Sequence, residues 1–253
     1  MSDRIENKVV LITGGLSDIG KATAQAFARA GYAVALNHRH KPKEADQLAD
    51  SLRHDWNAPR SATIQADIRH RAEVQSMFEQ AVQTFGRVDV LVNNAGINRD
   101  RPFTEMSDEE WDTVLSTVLN GTFMCSQEFA RRYHGTEGNI INIGAVSAVK
   151  GRKNGANYCS ARAGVLALTK CMALELAPNI RVNTVTPGRV DTEELRQRYQ
   201  LDDEDKRRRY EQEVPMARLG EPAEVAAMIL FLVETGKYVT GQNFFVDGGL
   251  FMR

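Results

Sequence analysis

The chain of 253 residues predicts an α/β fold: a single Rossmann-like, doubly wound parallel sheet with helices on both faces. Three observations carry that expectation. Short strand-like runs that are apolar throughout, not alternating, recur along the chain and imply strands buried on both faces. Stretches with apolar positions at helical spacing separate them, which is the βα alternation of a parallel sheet. The first strand also ends in a glycine-bearing turn that opens directly into a helix.

Val9-Val10-Leu11-Ile12 is an apolar run closed by Thr13-Gly14-Gly15, a buried strand followed by a turn. Ile19 to Ala30 is rich in alanine with apolar positions at helical spacing, and Gly31 ends it. Val34-Ala35-Leu36 is the next strand, Glu44 to Leu52 a helix, Ala62 to Ala66 a strand, and Ala72 to Phe85 a helix closed by Gly86. Val88 to Val92 is an apolar strand that stops at Asn93-Asn94-Ala95-Gly96. Asp108 to Tyr133 reads as a long helix, broken at most locally by Gly121. Asn139 to Ile143 is a strand, Tyr158 to Leu176 a helix, and Ile180 to Val185 a strand ending at Thr186-Pro187-Gly188. A charged segment leads to a helix over Ala223 to Val233 and a last strand over Gln242 to Val246. In such a sheet the ligand crevice lies at the carboxyl ends of the strands.

A hydrophobic share of 42% is ample for one core. With no linker, repeat or low-complexity tract, the expectation is one domain over 1–253. A net charge of −1 argues against a nucleic-acid surface or a polybasic membrane patch. No apolar run approaches the roughly 18 residues of a membrane span, and with the polar start MSDRIENK no signal peptide is expected. Cys125, Cys159 and Cys171 lack metal-ligand spacing and read as reduced thiols of a cytoplasmic protein, with no metal site expected. The mixed charge run Asp202 to Arg209 reads as a solvated helix face or loop.

The turn Thr13-Gly14-Gly15-Leu16-Ser17-Asp18-Ile19-Gly20 lets backbone amides approach a pyrophosphate at a helix N-terminus. With Asn93-Asn94-Ala95-Gly96, the acidic-residue position Asp67-Ile68, the run Asn183 to Thr192 (NTVTPGRVDT), and the closing signature of Tyr238-Val239-Thr240-Gly241-Gln242 and Val246-Asp247-Gly248-Gly249, it makes five motifs. Together they resemble the short-chain dehydrogenase/reductase family over essentially the whole chain. The resemblance implies a dinucleotide held by Gly14, Leu16, Ser17, Ile19 and Gly20, by Asp67 and Ile68, and by Asn94, Ala95 and Gly96. It further implies contacts from Pro187, Gly188, Val190 and Thr192, and from Tyr158 and Arg162. After the second strand the chain reads Asn37-His38-Arg39-His40-Lys41, with no acid until Glu44. A basic residue there accommodates a 2′-phosphate, so Arg39 favours NADP(H) over NAD(H). Asp18 stands where the family has its middle glycine, and can either cap helix amides or repel phosphate.

The family's reductive chemistry uses a tyrosine as proton donor, a serine that holds the substrate oxygen, a lysine that lowers the tyrosine pKa, and an asparagine that supports a water. Tyr158 matches the tyrosine, and Arg162 stands at the lysine position one helical turn on. A guanidinium keeps the charge but does not deprotonate, so it cannot shuttle protons. Thirteen residues before Tyr158 stands Ala145, with no hydroxyl, and the asparagine position is Val118. Ser147 shares a face with Ala145 only if the segment stays extended. Asn120 lies about 200° around the helix from Val118 and faces away.

Three functions follow. The first is an NADP(H)-dependent oxidoreductase with a non-standard site, Tyr158 serving as acid with Arg162 in electrostatic support. The second is a binding subunit that keeps the fold without turnover. The third is a dehydratase, isomerase or cyclase in which Tyr158 and Arg162 act on substrate directly. Arg152, Lys153 and Asn154, with Arg189 and the charged segment to about residue 215, are expected to form a lid over a polar or acidic small molecule. The resemblance also implies a homo-oligomer, tetramer or dimer, packed through the long helices and the C-terminal strand.

Overall fold

Seven strands hold the chain together in the computed structural model, which describes residues 8–252. They are β1 (Val9–Ile12), β2 (Ala33–His38), β3 (Ser61–Gln65), β4 (Val90–Asn93), β5 (Gly138–Ile143), β6 (Ile180–Pro187) and β7 (Asn243–Val246). Every pairing is parallel, in the order β3-β2-β1-β4-β5-β6-β7. The predicted doubly wound sheet is therefore the observed one. Most of the polar segment MSDRIENK lies outside the described residues.

Period-two alternation divides each strand between two cores. Val10 and Ile12 of β1 face α1 (Asp18–Arg29) and α10 (Pro222–Glu234), where Phe27, Ile229 and Leu232 fill the layer. Leu11 faces the other side, where α3 (Arg71–Phe85), α5 (Gly121–Arg132) and α7 (Ala156–Leu176) contribute Met77, Phe78, Phe129 and Ala173. Helix α2 (Pro42–His54) covers the β2–β3 edge through Ala49 and Leu52. No helix among the described residues is long and apolar enough to cross a membrane.

The stretch predicted as one helix from Asp108 to Tyr133 is in three parts. Helix α4 (Asp108–Leu115) opens with a capping box between Ser107 and Glu110, a wider π turn follows over Ser116–Asn120, and α5 resumes at Gly121. Hydroxyls compete for the carbonyls here: Ser116 and Thr117 both donate to Thr113 O, and Thr122 donates to Val118 O at 2.7 Å. Gly121 does not itself break the helix. A Cβ there would lie 2.6 Å from Ile68 Cδ1, so its bareness lets α5 sit against the β3–α3 loop.

Three helices carry too few apolar residues for periodicity to find them: α6 (Ser147–Lys150), α8 (Glu193–Tyr199) and α9 (Glu204–Gln212). Caps and ion pairs shape the last two. Thr192 accepts from Leu195 N, and Asp203 accepts from the amides of Asp205 and Lys206.

Helix α1 closes tightly on the turn before it. A Cβ on Gly20 would meet Gly14 O at 2.6 Å. Glycine-to-alanine changes inside helices ordinarily stabilise by about 0.5–1 kcal/mol. Gly20→Ala should reverse that sign and lower the urea midpoint, because the obstacle is backbone; a raised midpoint would show that the turn gives way.

Candidate dinucleotide and proton-transfer site

The carboxyl ends of β1 and β4 meet at glycine and alanine. Gly14 has φ +61°, and a Cβ there would sit 2.8 Å from Ala95 Cα. Asn94 stitches the two ends: its Nδ2 donates to Thr13 O (3.0 Å), Gly14 O (2.8 Å) and Ser17 Oγ (3.0 Å). Thr13 Oγ1 accepts in return from the amides of Asn94 and Ala95, both at 3.1 Å. Ser17 caps α1 by accepting from Gly20 N at 3.1 Å, while the amides of Asp18 and Ile19 find no acceptor among the described residues. Leu16 is half-buried in the turn, and Ile19 packs on the α1-side core.

The end of β2 holds two residues that the motif reading passed over. Buried Asn37 ties β2 to β3 through Nδ2 and accepts from Gly14 N at 3.4 Å. Buried His38 leaves Nδ1 without a partner among the described residues. The signal in the sequence is two polar residues closing an otherwise apolar strand. Arg39 is exposed, its guanidinium unpaired among the described residues.

Arg69 grips both Asp67 carboxylate oxygens: Nε donates to Oδ1 at 3.0 Å and Nη2 to Oδ2 at 2.5 Å. Burial pushes its carboxyl up, but the Arg69 hydrogen bonds outweigh that and hold it below the usual carboxylate range. Ile68 is buried against Gly121. Beyond β6, Gly188 donates to Val246 O at 2.9 Å, and its bareness admits Asp247, whose Cα would lie 2.6 Å from a Cβ. Val190 is core, and Thr192 is the N-cap of α8. Pro187 closes β6. Asp18, the departure in the glycine turn, turns its Oδ2 to Glu193 N at 2.7 Å.

Tyr158 and Arg162 are brought together on α7. Arg162 Nε donates to Tyr158 Oη at 3.2 Å, and Nη1 donates to Ile143 O at the end of β5. Nη2 lies where a Cβ on Gly96 would be 2.5 Å away, so glycine at 96 makes room for the guanidinium. The arginine is 4% exposed. The guanidinium carbons of Arg152 and Arg162 each lie 5.3 Å from the centroid of the half-buried Tyr158 ring. Asn157 anchors the start of α7 by donating to Arg99 O and Glu110 O.

Val118 is fully buried with Val114, Ala161 and Val165, and Tyr158 packs at the edge of that cluster. Asn120 is exposed, as its rotation predicted. Ala145 is followed by a helical turn, with Ala148 N bonded to Ala145 O, so the extended geometry that would set Ser147 beside it is absent.

The expected lid residues divide. Arg152 donates to Asp100 (2.6 Å) and Asn98 (3.1 Å). Arg189 instead covers the Tyr210 ring at 3.7 Å and binds Tyr210 O and Glu213. Lys153 and Asn154 are exposed. Asp191, not singled out in the sequence beyond its motif, accepts from Arg196 of α8 and Arg207 of α9, both at 2.8 Å. Burial raises its carboxyl pKa, yet those arginines hold it below the usual range. Cys125 is buried, which pushes its thiol up to about 12 and keeps it inert. No cluster of metal-ligating side chains occurs among the described residues.

Known proteins bear the same stamp. The family model described as enoyl-(acyl carrier protein) reductase matches residues 14–251. The 3-oxoacyl-[acyl-carrier-protein] reductase FabG of Staphylococcus epidermidis is 37% identical over 97% of this chain and 100% of its own. That of Thermotoga maritima is 38% identical over 98% and 99%. A short-chain dehydrogenase/reductase structure from Brucella melitensis superposes with a TM-score of 0.90 at 30% identity, covering 100% of both chains. A short-chain dehydrogenase/reductase mutant from Serratia marcescens gives 0.87 at 31% identity, over 97% and 98%. The chain belongs to the short-chain dehydrogenase/reductase family of oxidoreductases.

Arg162→Met should lower the unfolding free energy by about 1–3 kcal/mol, because Ile143 O and Tyr158 Oη lose a buried donor; unchanged denaturant melts would contradict that. Asp191, with a depressed folded pKa, stabilises fully above the unfolded carboxylate value near ~3.9. That contribution is lost as pH falls through the lower folded value. Asp191→Asn should flatten the acid limb of the stability profile between those two values.

Proposed function

We propose that the chain is an NADP(H)-dependent oxidoreductase whose proton donor is Tyr158, held by Arg162 where a lysine would stand. One domain over 1–253 carries both sites, with residues 189–215 as the substrate lid. The observation that carries the reading is the donation from Arg162 Nε to Tyr158 Oη at 3.2 Å.

The residues fit a dinucleotide. Two amides at the head of α1 lack acceptors among the described residues, and the buried His38 Nδ1 is orphaned beside Arg39, whose guanidinium is unpaired there. Gly14, Leu16, Ser17, Ile19 and Gly20 would hold the diphosphate. Arg39 would take the 2′-phosphate, and Asp67 and Ile68 the adenine. Asn94, Ala95 and Gly96, with Pro187, Gly188, Val190 and Thr192, would line the nicotinamide end. Bound there, the reduced cofactor supplies a hydride to a carbonyl carbon.

The chain's own work is at Tyr158 Oη. Its lone pair accepts from a permanently charged donor, which leaves its own O–H to point at the substrate oxygen. When that proton leaves, the adjacent guanidinium stabilises the phenolate. A guanidinium does not release a proton in a protein, so Arg162 cannot resupply the one Tyr158 gives up. With Val118 dry among valines and alanine, the half-buried phenol recovers its proton through its solvent-exposed side. Ala145 offers the substrate oxygen no hydroxyl, so Tyr158 carries polarisation as well as proton transfer.

An interface also fits. A groove of about 690 Å³ lined by Met216, Met228, Phe231 and Phe245 lies along α10 and β7, away from Tyr158, and Phe231 is half exposed. An exposed groove of this kind would suit a second copy of the chain, in keeping with the homo-oligomer reading.

The relatives' names make a 3-oxoacyl compound the first substrate to assay. NADPH absorbance should fall with it, and Tyr158→Phe should slow turnover about 10²–10⁴-fold. Arg39→Ala should weaken NADPH about tenfold or more while leaving NADH unchanged. Tight NADPH binding with no hydride loss across carbonyl substrates would favour a binding subunit; turnover without loss of absorbance would favour the non-redox enzyme.

A further inference from the structure

Helix α8 is fastened at both sides of the cleft. Its first amide, Glu193 N, donates to Asp18 Oδ2 at 2.7 Å across 175 residues of sequence. Its third, Leu195 N, donates to Thr192 Oγ1 at 3.2 Å. The amide between them, that of Glu194, has no acceptor among the described residues. The Glu194 carboxylate accepts from Asn98 at 3.3 Å, and farther along the helix Arg198 lies 3.9 Å from Asp100. Asn98 and Asp100 are the residues that hold Arg152 over Tyr158. Thus α8 runs from the glycine turn to the loop that frames the proton donor.

Asp18 is the first residue of α1, and its backbone amide belongs to the turn that faces the cleft. A carboxylate free to swing there would set like charge against any phosphate. Bonded to an amide at the head of another helix, it is turned aside and its charge meets a partial positive end. The departure from glycine at this position therefore acquires a mechanical use.

We propose that Asp18 is a positioning residue: its carboxylate fastens the start of α8 to the glycine turn and sets how far the 193–212 segment opens over the cleft. Only in treating that cleft as the dinucleotide site does the inference rest on the preceding reading. Ion pairs of Arg196 and Arg207 with Asp191 tie the two lid helices to a common base, so loss of the Asp18 bond loosens both on the side of the glycine turn.

Hydrogen exchange on the free protein reads this directly. After correction for intrinsic rates, the Glu193 amide should exchange at least about tenfold more slowly than that of Glu194, the order of effect for a hydrogen bond to a charged acceptor. Equal protection of the two amides would overturn the proposal without any variant. In Asp18→Ala the Glu193 protection should vanish, and trypsin should cut between Arg196 and Arg209 about tenfold faster at unchanged Tm. Asp18→Asn keeps an accepting oxygen and should stay within about threefold of the parent. Unchanged cleavage in Asp18→Ala, or equal loosening in both variants, would also overturn it. None of these readouts requires nucleotide, so failure of NADPH to bind would sink the oxidoreductase reading alone.

Discussion

Everything at the site depends on how closely the ends of β1 and β4 approach. That approach requires a residue without a Cβ at 14, because Ala95 Cα occupies the space, and it requires the Asn94 amide to satisfy Thr13 and Gly14 carbonyls that no strand pairs. Once the ends are locked, Gly96 is placed. Its bareness leaves a slot for Nη2 of Arg162. The guanidinium, wedged there and tied to Ile143 O, can reach Tyr158 Oη only with Nε. A chain of steric permissions thus runs from a glycine turn to the orientation of one phenol.

The sheet was legible because burial on both faces writes itself as unbroken apolar runs, as in Val9 to Ile12 and Ile140-Ile141. The glycine turn and Asn94 were legible as motif. What escaped had no local signature. The π turn at Ser116–Asn120 arises from hydroxyls competing for carbonyls, and the same residues fit an unbroken helix pattern. Helices α8 and α9 carry little apolar face, so charge partners set their place, and those partners lie far off in sequence: Asp18 for Glu193, Asp100 for Arg198. Spacing placed Arg162 beside Tyr158, but the engagement of its guanidinium nitrogens within the protein was not there to be read.

That engagement decides which role an arginine can take. A lysine ammonium is a strongly hydrated point charge with rotatable donors, suited to trading protons with water. The planar fork of Arg162 is instead built into the scaffold, bridging β5, the Gly96 loop and α7. At 4% exposure it has little surface to offer a ligand. In the proposed oxidoreductase it would act through Tyr158 Oη, to which its Nε donates.

Val118 and Arg162 are then parts of one solution. A polar residue at 118 has use only if something nearby exchanges protons with a trapped water, and a guanidinium does not. With no proton to carry, water between these helices would be a buried polar guest without enough partners. Filling the space with Val118 against Ala161 and Val165 removes that cost and packs the flank of Tyr158. The reverse holds too: a lysine restored at 162 alone would face that dry wall and lack the reach to satisfy Ile143 O and fill the Gly96 slot at once. Residues that act as a unit do not add back singly, so the arginine and the valine have to be read, and changed, together.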